Sequence, residues 1–139
     1  MNYWNAYLAS FNFLDNYWEK SKEDDMAMLL SSMSPYIWGN NIPIDNSMVD
    51  IWIETFNQVL KTTNNTSEVE MIFACLISYV ENMQKEFTYN FADVLLKFSR
   101  ASINKEDDLW INWLNTYDYW HNKPNYSLGH SLPPLIAGR

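Results

Sequence analysis

Residues 69–83 read VEMIFACLISYVENM, and their apolar side chains recur every three or four positions, the period of an α-helix. One apolar stripe consists of Val69, Ile72, Phe73, Leu76, Tyr79, Val80 and Met83. Other apolar residues, Met71, Ala74, Cys75 and Ile77, extend the apolar surface nearly all round the helix. A helix that is apolar on most sides usually lies at the centre of a fold. The segment therefore predicts a central helix against which the rest of the chain packs.

Five further segments show the same periodicity on either side of this helix. The first runs from about Trp4 to Lys20, and the second ends before Pro35. Residues 35–46 are predicted to form an ordered loop that leads into the third helix. Capping residues are predicted at four helix starts: Ser21 with Asp24, one of Asp45, Asn46 and Ser47, then Ser67 with Glu70, and Asn104 with Asp107. The fifth helix is predicted to follow Asn90. The chain is thus expected to be all-α, a single-domain bundle of about six helices.

The last 19 residues differ in character from the rest. Residues 121–139 contain three of the five prolines, two of the three glycines and no acidic residue. We therefore predict a helical domain over residues 1–120 and an extended or disordered tail over 121–139. Because the tail has no periodic apolar stripe, we expect it to contribute little to folding.

The two halves of the helical domain resemble each other. Residues 13–16, Phe-Leu-Asp-Asn, match Tyr-Val-Glu-Asn at 79–82, an offset of 66 that also places Leu29 and Leu30 on Leu95 and Leu96. Residues 50–53 match residues 108–111 at an offset of 58. These matches predict two similar three-helix units, each burying what the other exposes.

Net charge separates the body of the chain from its tail. Residues 1–66 hold eight acids and three bases, residues 67–120 hold nine and four, and the tail holds two bases, for a net charge of −8. A field of this sign repels nucleic acid and anionic membranes and attracts cationic partners. It also serves solubility, so charge alone leaves both interpretations open.

No constellation of residues in the sequence predicts an enzyme, a cofactor or a metal site. Three scattered glycines cannot form a phosphate-binding loop. Cys75 has no second cysteine to pair with and lies in an apolar run, as a buried residue would. His121 and His130, the only histidines, fall in the tail, away from any fixed catalytic geometry. The chain begins without a basic, apolar leader and contains no long apolar run, so we expect a cytoplasmic protein that does not cross a membrane.

Acidic pairs and one loop tryptophan are the candidates for partner contact. The sequences Glu-Asp-Asp at 23–25 and at 106–108 fall in predicted first helical turns, where the helix dipole favours acids whatever their function. Such acids can still face a basic partner. Trp38 lies in the predicted loop rather than on an apolar stripe, and aromatic residues on ordered loops are common interface anchors. The alternative for Trp38 is that it folds back onto the core.

The pattern of residues 10–56 resembles small bacterial immunity proteins of contact-dependent growth inhibition and related polymorphic toxin systems. The resemblance is carried by residues 13–18, Asp24-Asp25, residues 29–34, Trp38, residues 42–45 and residues 48–52. A weaker form of the same pattern recurs over residues 79–114. The family's usual Asp-Gly before the proline and second tryptophan near position 54 are replaced here by residues 39–41 and Glu54.

This resemblance implies a cytosolic antitoxin that binds one cognate toxin domain, a basic nuclease, and blocks its active site. The expected contact residues are Asp24, Asp25, Trp38, Asp45, Asp50 and Glu54, with Asp107 and Asp108 as the matching set in the second half. No cofactor, metal, direct nucleic-acid contact or membrane contact is expected. The alternatives are an acidic nucleic-acid mimic that inhibits a DNA-binding protein, and a helical protein that binds a small molecule.

Overall fold

The computed structural model describes residues 1–63 and 66–138, and the predicted all-α fold is confirmed. Six helices make up one compact domain: α1 (Tyr3–Ser21), α2 (Asp24–Met33), α3 (Ser47–Thr62), α4 (Glu68–Glu86), α5 (Ala92–Ile103) and α6 (Asp108–His121). The described residues contain no β-strand. None of the described helices is long and apolar enough to span a bilayer.

The two long helices, α1 and α4, lie at the centre and touch each other. Nearly every residue of α1 from Trp4 to Tyr17 is buried, and α4 buries the stripe predicted from residues 69–83, with Val69 only partly covered. Helix α6 packs chiefly against α1, and α3 packs chiefly against α4. The shorter helices α2 and α5 pack against α1 and α4 respectively. The third helix of each half therefore packs mainly on the long helix of the other half.

Two of the predicted helix caps are wrong. Ser21 is the last residue of α1, which ends through Lys22 in a left-handed conformation (φ 55°) with its N–H bonded to the Trp18 carbonyl oxygen at 2.8 Å. Asn104 follows the end of α5, and the N-cap of α6 is Asp107, whose carboxylate accepts from the Leu109 N–H at 2.8 Å. In both cases a turn of a few residues separates the two helices.

An equivalent hydrogen bond in each half shows how the halves correspond. The indole N–H of Trp52 donates to the carbonyl oxygen of Tyr3 at 2.8 Å, and that of Trp113 donates to the carbonyl oxygen of Val69 at 2.9 Å. Val69 follows Tyr3 by 66 positions, as predicted for the long helices, whereas Trp113 follows Trp52 by 61. The predicted offset of 58 for the third helices is therefore wrong by three residues.

The aromatic core repeats this correspondence. Tyr79 lies 5.3 Å from Trp52 and Phe13 lies 5.7 Å from Trp113, measured between ring centroids, each nearly edge-on. The contact between Tyr7 and Tyr79 (6.3 Å) likewise has its counterpart between Phe73 and Phe13 (5.7 Å). Edge-to-face pairs of this kind add to the stabilisation from burial itself. Two copies of one arrangement therefore meet at the interface between α1 and α4.

The predicted match between the short helices is shifted. Leu30 is buried, whereas Leu96, its counterpart at an offset of 66, is 51% exposed. At an offset of 68, buried side chains of α2 correspond to buried side chains of α5: Met26 to Val94, Leu30 to Phe98, and Met33 to Ala101.

The tail is extended and docked on α1. The side-chain amide of Asn12 donates to the carbonyl oxygen of Ile136 at 2.9 Å and accepts from its N–H at 3.0 Å. Asn5, two turns earlier, donates to the Pro124 carbonyl oxygen at 3.0 Å and accepts from the Tyr126 N–H at 2.8 Å. The tail's apolar residues Tyr126, Leu132 and Leu135 pack against the core. These contacts lead us to predict that the tail does contribute to folding, because side-chain amides hold it where an apolar stripe is missing.

Candidate functional site

The connection between α2 and α3 exposes three large apolar side chains. Within this 35–46 loop, Ile37 is 58% exposed, Trp38 49% and Ile44 61%. Large exposed apolar residues that cluster on one segment mark interaction surfaces more often than isolated ones do. Trp38 thus faces solvent and does not fold back onto the core.

The loop has fixed attachment points although it contains no regular secondary structure. Pro35 and Pro43 are buried at its two ends. The Tyr36 hydroxyl donates to the carbonyl oxygen of Pro133 in the tail at 2.8 Å, and its ring stacks on Phe11 of α1 at 6.2 Å. Gly39 supplies the positive φ of 79° that turns the chain directly after Trp38. The exposed apolar residues are therefore presented from a loop held at both ends.

Asp24 and Asp25 open α2, the helix that leads into this loop, and Asp45 lies near the end of the loop. Asp24 is exposed in the first turn of α2, and Asp25 accepts from the backbone N–H of Asn90 at 2.8 Å. Asp45 accepts from the N–H of Ser47 at 2.9 Å and so supports the start of α3. The pKa of Tyr89 is raised, chiefly by burial and in part by the charges of both Asp25 and Asp45. These two acids therefore lie near one side chain, on the same side of the protein.

Asp50 and Glu54 continue the acidic surface along α3. They are one turn apart on the exposed face of the helix, directly after the loop. Neither makes an ion pair with a described residue. Met28, also exposed, lies one turn after Asp24 on α2. We call the surface formed by Asp24, Asp25, Met28, Ile37, Trp38, Ile44, Asp45, Asp50 and Glu54 the loop face.

Asp107 and Asp108, the predicted matching set, lie in different surroundings. Asp107 is the N-cap of α6, so its carboxylate already has a backbone partner. Asp108 is exposed and lines a shallow depression that also contains Lys20 and Lys97. Lysines in the same depression offset its negative charge. The two sets are thus not equivalent in charge, and the loop face is the more negative candidate.

A small apolar pocket opens beside the loop face, between α1, α2, the loop and the tail. Its volume is about 290 Å³. The lining includes Phe11, Asp15, Trp18, Leu30, Tyr36 and Leu135, and Ile37 of the loop face also borders it. Burial raises the pKa of the Asp15 carboxyl, with a smaller contribution from nearby Glu19, while the charge of Lys22 lowers it.

Sequence reasoning missed several members of this surface. Met28, Ile37 and Ile44 are chemically indistinguishable from core residues, and only the three-dimensional structure shows that they are exposed. Asp15 is the only charged residue between Tyr3 and Trp18, which was an available signal for a special environment. The pocket itself requires Leu135, a residue of the tail that sequence analysis set aside.

Cys75 and His121 lie in different surroundings. Cys75 is buried, and burial raises the pKa of its thiol to about 12. His121 is the last residue of α6 rather than a tail residue, and it stacks on Tyr117 with ring centroids 5.2 Å apart. Among the described residues, no group of three or more His, Cys, Asp or Glu side chains is placed to hold a metal ion.

Comparison with known proteins adds no family to this description. No protein-family model, no curated protein and no solved structure matches the chain. The loop face can offer a partner exposed aromatic and aliphatic side chains surrounded by carboxylates. Such a surface is suited to binding a protein that carries both apolar and basic residues.

Proposed function

We propose that the protein is an immunity protein that binds a cognate toxin domain, a basic nuclease, through the loop face and blocks its active site. The observation that carries the proposal is the exposure of Trp38 on an anchored loop between two helices, α2 and α3, that carry exposed acids. Interfaces gain most of their affinity from a few central anchors, often tryptophan, surrounded by a polar rim. The proposed compartment is the cytoplasm, where such a toxin would act.

The acidic rim has a separate role in this proposal. A nuclease needs a basic surface to hold its phosphodiester substrate, so an acidic inhibitor is attracted to the surface that it must cover. Complementary charges speed the encounter of two proteins more than they strengthen the final complex. Asp24, Asp50 and Glu54 are exposed and form no ion pair with a base among the described residues, so they are available to steer the toxin.

A nucleic-acid mimic is less well supported than an immunity protein. A mimic presents rows of acids at the spacing of phosphates, whereas the loop face interrupts its acids with Met28, Ile37, Trp38 and Ile44. These side chains have no counterpart in a phosphate backbone. They fit a protein partner with apolar side chains of its own.

Co-expression tests the proposed function directly. A toxin domain identified by co-purification with this chain from its native cell would be induced in a host strain with and without the chain. We expect the chain to restore colony formation by several orders of magnitude. The Trp38→Ala variant should protect poorly, whereas Ile103→Ala, which removes an 84% exposed side chain from α5, should protect fully.

Two results would contradict the proposal. One is full toxicity in the presence of soluble, folded wild-type chain, together with no complex on size-exclusion chromatography. The other is equal protection by wild type and Trp38→Ala with equal dissociation rates, which would remove the loop face as the contact surface.

A further inference from the structure

The pocket beside the loop face contains a carboxylate that has no partner among the described residues. Asp15 lies on α1, partly buried, and makes no hydrogen bond or ion pair with any residue of the described chain. Lys22, whose charge lowers the pKa of Asp15, is already bound to Glu19 at 3.2 Å. A carboxylate that has lost part of its hydration without gaining a partner is costly, and a cationic donor offsets that cost.

Aromatic and aliphatic groups form the remaining walls of the pocket. Phe11 and Tyr36 are stacked at 6.2 Å, and Leu30 and Leu135 close the apolar side. Trp18 also lines the pocket, and its indole N–H is buried without an acceptor. The pocket therefore combines one negative group with an apolar, aromatic interior.

The ring of Trp18 already binds one cation. The ammonium of Lys22 lies 4.1 Å from the centroid of the Trp18 ring. Lys22 is also paired with Glu19, so its charge is shared between that carboxylate and the Trp18 ring. Lys20 borders a second depression that also contains Asp15 and Glu19, on the side of α1 near the end of the tail.

We propose that this pocket binds an arginine side chain of the partner protein, with the guanidinium against the Asp15 carboxylate and the methylene groups among the aromatic walls. Arginine fits better than lysine because its planar guanidinium stacks on aromatic rings, is weakly hydrated and pairs with a carboxylate through two N–H groups. Ile37 belongs to both the pocket and the loop face, so a chain bound to the loop face passes the pocket entrance. The identity of the occupant as part of a toxin rests on the proposed function.

A peptide titration tests the pocket independently of any toxin. The probe is an acetylated, amidated glycine–arginine–glycine tripeptide, and its matched control contains citrulline, an uncharged analogue of arginine. Binding is followed by the indole N–H resonances of the seven tryptophans, assigned by substitution. We expect the Trp18 resonance to shift saturably with the arginine peptide at millimolar concentration, and several-fold less with the citrulline peptide.

Two variants connect the shift to Asp15. Asp15→Asn should abolish saturable binding of the arginine peptide, whereas Asp118→Asn, which removes the same charge from the exposed surface of α6, should leave it unchanged. Equal shifts with arginine and citrulline, no saturable shift at all, or binding that survives Asp15→Asn would each overturn the pocket as an arginine site.

A final comparison separates this inference from the proposed function. In the co-expression assay and in binding kinetics with the identified toxin, Asp15→Asn should speed dissociation about tenfold, and Asp118→Asn should not. If the wild-type chain neutralises the toxin and Asp15→Asn dissociates at the wild-type rate, the arginine assignment is wrong while the immunity function stands. If the tripeptide binds through Asp15 but the chain gives no protection, the immunity function fails and the pocket remains.

Discussion

Trp120 on α6 donates its indole N–H to the side-chain oxygen of Asn12 on α1 at 3.0 Å, with both residues fully buried. The same oxygen accepts from the backbone N–H of Ile136 in the tail. One asparagine therefore joins a central helix, the last helix and the tail.

Replacing Asn12 with leucine should destabilise the protein strongly. The change leaves the Trp120 indole and both backbone groups of Ile136 without partners, and each buried unsatisfied group costs about 1–3 kcal/mol. We expect a loss of roughly 3 kcal/mol in the free energy of unfolding by urea, followed by tryptophan fluorescence. Asn57→Leu, the same substitution at an exposed position of α3, should change it by less than about 0.5 kcal/mol. Equal effects would show that the Asn12 amide is not a structural link.

Deleting the tail after residue 123 should also destabilise the fold. The deletion removes the backbone partners of Asn5 and Asn12 and uncovers the surface beneath Leu132 and Leu135. We expect a loss of at least about 2 kcal/mol in the free energy of unfolding. Replacement of the exposed pair His130 and Ser131 by alanine controls for sequence changes in the tail and should be nearly neutral. An unchanged thermal midpoint after the deletion would mean that the docked tail contributes no net stability.

The two equivalent tryptophans should respond alike to substitution by phenylalanine. Trp52→Phe and Trp113→Phe each remove the indole donor to a helix-start carbonyl, at Tyr3 and Val69 respectively, together with part of a buried ring. Each should cost about 2 kcal/mol in the free energy of unfolding. Trp110→Phe is the matched control, because the Trp110 indole donates to no main-chain carbonyl of a described residue. It should lower the free energy of unfolding by less than the other two substitutions. A larger loss at Trp110 than at Trp113 would favour the offset of 58 over that of 61.

The Asp15→Asn variant should be more stable than wild type at neutral pH. Because burial raises the pKa of Asp15 in the folded protein, ionisation favours the unfolded state. The contribution of the Asp15 carboxyl to folding stability is complete below the ordinary aspartate pKa of 3.8. It is lost as the pH rises through the higher pKa that this carboxyl has in the folded protein. Asparagine does not titrate, so its advantage should be present at pH 7 and should disappear at pH 3. Glu54→Gln, at an exposed site on α3, controls for charge removal. A variant advantage that grows as the pH falls would contradict the assigned direction.

Charge reversal on the loop face should slow association with the toxin. The triple variant Asp24→Lys, Asp50→Lys and Glu54→Lys changes three exposed acids, and we expect a roughly tenfold lower association rate at low salt. The difference should shrink at physiological ionic strength, where the Debye length is about 8 Å. The control variant makes the same change at exposed Glu81, Glu86 and Asp118. Equal rates for the two triple variants would show that net charge, rather than the loop face, attracts the partner.

Apolar periodicity predicts the helices of this protein well, because each helix buries a stripe that the sequence displays. It does not predict where the chain turns between them. Lys22 adopts a left-handed conformation that glycine would have signalled, so α1 extends past the predicted boundary to Ser21. The register between the halves depends on which tryptophan reaches a helix-start carbonyl. Trp110 and Trp113 both fit the stripe, and only packing distinguishes them.

The candidate site is less predictable than the fold. Asp24, Asp25 and Trp38 are prominent in the sequence, but Asp25, Asp45 and Asp107 also stabilise local structure through backbone N–H groups. A carboxylate that holds a turn and one that meets a partner look alike in a sequence. The pocket at Asp15 depends on residues more than a hundred positions apart, which no local pattern reveals.

Because α3 packs mainly on α4 and α6 packs mainly on α1, each half depends on the other, and this determines when the protein can fold during synthesis. Helix α1 receives its main cover from α6, and the bond between Asn12 and Trp120 closes a loop of 108 residues. Until the ribosome has released residue 120, α1 lacks its largest helix contact, although Tyr7 can already meet Trp52 and Phe13 can meet Phe73. The nascent chain should therefore remain a client for chaperones through most of its translation and fold in one late step.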